Sequence, residues 1–311
     1  MTRLLRSGVY RLVHGRKLWV GTALIVAACF GVVTLMSLMV GTLRADGSAG
    51  VGGLQVTVDG GRYSSVAPDS ADAAVLDIFS SRTAPNHSCL LVLMGLFQGG
   101  TAGMLVSVVA VLVHAEDFER GFVRAELAGG HGRVAYHASY LALAALLAVW
   151  YSLVVVASTE AAFAAAGVRV VGAEPLWRYG RLVGLNTLGV VAVTLTVAAV
   201  HSVVRSKVAG VSLAICIGGG AMGSVLTGLA QLLGERFGWI AQAVSWLPTV
   251  NLGRINDAAP LLGLTSSASQ GAAALPDAGM SAWTHALVCF IGWIAAAVAV
   301  TLLANRRRDV C

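Results

Sequence analysis

The sequence predicts an all-α membrane protein of six transmembrane helices, and three observations carry that reading. Hydrophobic residues make up 57% of the 311-residue chain, charged residues only 12%, and mean hydropathy is +0.79. Soluble domains average roughly 45–50% apolar and about 25% charged residues, so a water-solvated globule is excluded. The apolar residues are gathered into six runs, each close to the roughly 20 residues an α-helix needs to cross a bilayer. The cations, finally, sit in short clusters beside those runs, as topology-setting charges do.

The chain opens with Thr2–Lys17, where Leu4, Leu5, Val9, Leu12 and Val13 alternate with Arg3, Arg6, Arg11, Arg16 and Lys17. At helical spacing, residues 1–17 read as a basic amphipathic helix lying in the membrane interface. A plain positive flank that fixes topology is the other reading. The run Leu18–Val40 is longer than a signal-peptide core of about 7–15 residues, so it is expected to stay as a first span. Residues 18–311 then form one transmembrane domain.

A polar external loop is expected over about residues 41–87. Within it, Leu54–Val58 and Arg62–Val66 flank Asp59-Gly60-Gly61, a short-range hairpin signal. The remaining runs are Cys89–Val113, Tyr140–Ala166, Leu182–Val204, Val208–Leu233 and Ala286–Ala304. A tight Arg205-Ser206-Lys207 turn joins two of them, and a second long external loop spans about 234–285.

With the amino terminus inside, cytoplasmic segments hold 13 of the 21 Lys and Arg residues, in less than half the loop length. That bias places both termini in the cytoplasm of a multi-pass protein of the cell membrane, although Arg169, Arg178 and Arg181 dissent. Clusters of this kind do not form a basic groove with interleaved aromatics, so nucleic acid is not an expected partner. No Lys, Arg, Asp or Glu lies near the middle of any run; Glu160 comes closest. Gln98 and Asn186 fit helix–helix hydrogen bonding. In the fifth run Gly219 and Gly223 have small-xxx-small spacing, a possible helix-packing seam between copies or within one chain.

Chemistry is sparse. Neither Gly129-Gly130-His131-Gly132-Arg133 nor Gly184-Leu185-Asn186-Thr187 has the Lys and Ser/Thr of a phosphate loop. The seven histidines are scattered, and the five cysteines have no metal-ligand spacing. No catalytic residue, metal site or bound cofactor is expected, and the chain is not read as an enzyme.

The informative segment is cytoplasmic, about residues 115–139. It carries Glu116, Asp117, Phe118, Gly121, Phe122, Arg124 and Arg133, with Phe118, Phe122 and Ala125 at i, i+4 and i+7. One apolar face ringed by charge suits insertion into a groove on a soluble partner.

This segment resembles the cytoplasmic loop between the second and third helices of permease subunits of type 2 ABC exporters, bacteriocin- and antibiotic-export permeases in particular. The plan is similar throughout: basic interfacial helix, six spans, large first external loop, and a re-entrant-looking last one with Trp246-Leu247-Pro248. The resemblance implies that Glu116, Asp117, Phe118, Gly121, Phe122, Arg124 and Arg133 form a coupling helix that docks on a separate ATPase subunit. Tyr140 stands where many members carry Lys. It implies further that the partner uses ATP and Mg, and that a second permease copy or a sister permease completes the path within the lipid. A membrane sensor or assembly protein that moves no substrate is the alternative.

Overall fold

The computed structural model describes residues 2–45, 56–59, 62–65, 77–97, 100–119, 121–123, 132–233, 238–258 and 279–306. It is a helical membrane protein. Among the described residues five helices are long and apolar enough to cross a bilayer, and a sixth crossing is available if one bent helix pair counts as a span. In hydrocarbon every backbone polar group must be satisfied within its own segment, so the apolar runs have no alternative to helix.

Helix α1 (Thr2–His14) buries Leu4 and Gly8 and exposes Arg6, Tyr10 and Arg11. Helix α2 (Arg16–Ala45) follows after one residue and packs on the long helix Arg133–Ala165. The expected hairpin is present as β1 (Val56–Asp59) and β2 (Arg62–Ser65), antiparallel with Asp59 opposite Arg62. Strand β3 (Thr83–Ala84) pairs in parallel with β4 (Arg169–Val170), tying two distant loops together.

The second apolar run is not one helix. It divides into α3 (His87–Leu93) and α4 (Thr101–Glu119), with Gly95 at φ +66° and Gly100 at φ +71° between them. A left-handed backbone ends a helix, and glycine adopts it without penalty. Gly100 must also lack a side chain, because a Cβ there would stand 2.6 Å from the Gly218 carbonyl oxygen. Gln98 lies outside the described residues.

Helix α5 (Arg133–Ala165) and helix α6 (Leu176–Val204) both extend beyond their apolar runs. Arg178 and Arg181 therefore lie on α6 rather than in a loop, and Arg181 rests over the Trp283 ring at 4.3 Å. Helix α6 is the axis of the fold. It packs on α3, α4 and α5 and on the later helices Lys207–Leu213, Pro248–Ala258 and Ala282–Arg306, and its apolar stretch is far more buried than that of α2.

The fifth run is also broken. Helix α7 (Lys207–Leu213) passes through a π-turn (Ala214–Gly218) and bends by 53° into α8 (Ala221–Leu233). Gly220 at φ +73° lies in the bend. A π-turn beside consecutive glycines is an ordinary cause of a sharp kink. Gly219 and Gly223 do not share one seam: Gly219 faces Met104 of α4, and Gly223 faces Thr249 and Val250.

Two short helices, α9 (Gly238–Ser245) and α10 (Pro248–Ala258), form a hairpin around Trp246-Leu247. Helix α10 packs against α6 and α11 (Ala282–Arg306). A Cβ on Gly189 of α6 would meet Leu252 and Phe290 at 2.4 and 2.8 Å, so three elements converge there.

Candidate functional site

The charged segment lies where α4 leaves the bundle. Glu116, Asp117 and Phe118 occupy its last turn, and α5 begins again at Arg133, so much of residues 115–139 is helix rather than loop. Gly121 sits at φ +68° and its N–H donates to the Phe118 carbonyl at 3.1 Å. The continuous face expected across Phe118, Phe122 and Ala125 is therefore interrupted at Gly121. Arg124 and Ala125 lie outside the described residues, as does the Arg133 side chain.

The two phenylalanines, both half-buried, find separate partners within the chain. Phe118 stands edge-on to His114 with ring centroids 4.9 Å apart, and edge-on to Tyr136 at 6.5 Å. Phe122 lies under the Arg11 guanidinium, 3.6 Å from the ring centroid, a cation–π contact. Val123 beside it is buried.

Three carboxylates crowd the carboxyl end of α4, where the helix dipole disfavours negative charge. Each is met by a cation from a different element. Arg11 of α1 donates through both terminal nitrogens to Asp117, at 2.7 and 3.3 Å. Lys17 of α2 pairs with Glu116 and also donates to the Leu112 carbonyl at 2.8 Å. Lys207 of α7 donates to Glu119 at 3.2 Å. Exposed pairs of this kind contribute only about 0–1 kcal/mol each. Their consequence is geometric: three helices are tied to the tip of α4.

In the sequence alone Arg11 and Lys17 read as part of a basic interfacial helix or as topology-setting charges, and this pairing is not legible there. The signal that was there is the acidic triplet at a helix end, which calls for cations from elsewhere.

Behind Phe118 lies a buried cluster from three spans: His114 of α4, Tyr140 and His137 of α5, and His201 of α6. His114 stacks on Tyr140 at 3.6 Å and stands edge-on to His201 at 5.2 Å. His137 lies 6.2 Å from His114, also edge-on. Both ring nitrogens of His114 and His137, Nδ1 of His201 and the Tyr140 hydroxyl form no hydrogen bond among the described residues. No group of His, Cys, Asp and Glu side chains able to hold a metal ion is found among them either.

At the opposite end of the bundle the buried asparagines are hydrogen-bonded. Glu160 accepts from the Tyr179 hydroxyl and lies in ion-pair range of His87, both at 3.0 Å. Deeper in, Asn186 of α6 and Asn256 of α10 exchange amide hydrogen bonds at 3.2 and 3.0 Å. Asn251 donates to the Ser245 and Leu247 carbonyls and faces His285 Nδ1 at 2.8 Å. The Trp246 carbonyl accepts from Cys289 and from the Trp293 indole at 2.7 Å. These bonds pin the α9–α10 hairpin to α6 and α11.

No family model matches the sequence, and no curated protein matches it.

Proposed function

We propose that this chain is the transmembrane permease subunit of an ATP-driven exporter, with the α4–α5 segment as the surface that receives a separate ATPase. One observation supports the reading above the rest. The tip of α4, carrying Glu116–Glu119, is joined by ion pairs to α1, α2 and α7 and runs through Phe122 toward α5. A force applied at that tip would pass into several spans together. Motion of that kind, in which domain closure outside the bilayer tilts packed helices, is a hinge-and-shear transition. The bend between α7 and α8 is the element this reading assigns to the response, since π-turns within helices are frequent at functional sites.

In this reading ATP and Mg belong to the partner, both termini lie in the cytoplasm, and a second permease copy or a sister permease completes the path. The experiment is co-purification of the tagged chain with its ATPase, alongside a transport or resistance phenotype. Phe118→Ala together with Phe122→Ala is expected to weaken association on the order of thirtyfold, the effect of losing about 2 kcal/mol of interface anchor. Membrane insertion should be unaffected. Unchanged association and phenotype in that double variant would refute docking at this segment, as would ATP hydrolysis by the purified chain alone.

A further inference from the structure

Between α1, the start of α2, the end of α4 and the start of α5 lies a groove of about 530 Å³. That volume falls within the roughly 300–1,000 Å³ of ordinary small-ligand sites. It is lined by apolar Leu12, Val113 and Leu143 together with Arg11, Arg16 and Lys17 and the carboxylates Glu116 and Asp117. Arg11 and Lys17 are engaged with the two carboxylates. Arg16 is exposed, and among the described residues it forms no ion pair and is the groove's one cation without a carboxylate partner.

Depth decides which anion could reach it. Arg16 and Lys17 directly precede Leu18, where the apolar run of α2 begins. Trp19, 54% exposed, donates its indole N–H to the Val13 carbonyl at 2.8 Å, which sets an amphipathic ring at the same level. Groups at that level meet lipid headgroups rather than bulk water. A basic pocket between membrane helices at headgroup depth, lined in part by apolar side chains, has the chemistry of a phospholipid site.

We propose that this groove binds an anionic phospholipid, its phosphodiester on Arg16 and the start of its acyl chains against Leu12 and Leu143. The ligand would bridge α1 and α5 beside the tip of α4. This goes beyond the exporter reading and does not depend on it.

The test uses the full chain, purified in dodecyl maltoside and titrated with phosphatidylglycerol, phosphatidylcholine or inorganic phosphate. Thermal midpoint and retained lipid by native mass spectrometry are the two readouts. Phosphatidylglycerol should raise the midpoint and stay bound, while phosphatidylcholine and phosphate should do neither. Arg16→Gln should weaken the apparent affinity roughly fivefold, the effect of one interfacial cation. Arg16→Lys should retain most of it, and Arg178→Gln, at the other end of the bundle, should change nothing. Equal effects of the two lipids, stabilisation by phosphate alone, wild-type affinity in Arg16→Gln, or equal loss in Arg178→Gln would each overturn the proposal.

Discussion

The bundle has two polar interiors built on opposite terms. Beside the α9–α10 hairpin, Asn186, Asn256 and Asn251 are buried and every one is hydrogen-bonded. Beneath the tip of α4, His114 and His137 are as deeply buried and are held by ring contacts alone among the described residues. A satisfied amide network fixes distance and direction, since any shift strands a polar group in a low-dielectric interior. Stacked rings tolerate sliding, because their attraction changes slowly with offset. On these grounds the hairpin is the rigid end of the bundle and the end that carries the charged tip is the compliant one.

Four substitutions can break or sharpen this contrast, each read by equilibrium unfolding in mixed detergent. The largest effect is expected from Asn256→Ala. It leaves the Asn186 side-chain oxygen without its donor, although Nδ2 keeps its bond to the Leu182 carbonyl, and removes packing beside Leu252, at a cost of about 2 kcal/mol. Asn186→Leu with Asn256→Leu together should cost less than the sum of the singles, because neither partner is then left unpaired. Strict additivity would show that the pair is not a unit.

Next comes Trp293→Phe, which deletes one of the two donors to the Trp246 carbonyl. A loss of about 1 kcal/mol is expected, and no loss would mean that the hairpin is held by packing instead.

Arg11→Gln is expected to cost about 0.5 kcal/mol, since its bond to Asp117 is partly solvated and its place over Phe122 is exposed. Raising salt in the wild type should shrink that difference. The effect should survive in an Asp117→Asn background only to the extent of the cation–π contact, so a double-mutant cycle separates the two.

His114→Phe should cost least, within about 0.5 kcal/mol of wild type, because the stacking on Tyr140 is retained and no hydrogen bond to the described residues is lost. A loss as large as that of Asn256→Ala would show that the histidine cluster is a bonded network and collapse the comparison.

Much of this architecture was legible in the sequence. Hydropathy and charge clustering marked the helices because crossing a bilayer imposes a length and a composition that few other constraints imitate. The Asp59-Gly60-Gly61 hairpin was legible because its signal is local. The divisions of Cys89–Val113 and Val208–Leu233 were not, since hydropathy sums transfer free energy over a window and carries no information on φ. Gly95, Gly100 and Gly220 have positive φ, but a glycine in an apolar run is equally a packing residue. At the candidate site, the acidic-Phe-Gly-Phe pattern located the segment but not its geometry. Arg11 lies 106 residues from Asp117, and Lys17 lies 95 from Leu112. The sequence thus determined what each segment must avoid, water for the apolar runs and hydrocarbon for the charges. Only the tertiary structure decided which charge meets which, because pairing across distant helices depends on their packing and not on any property of either segment alone.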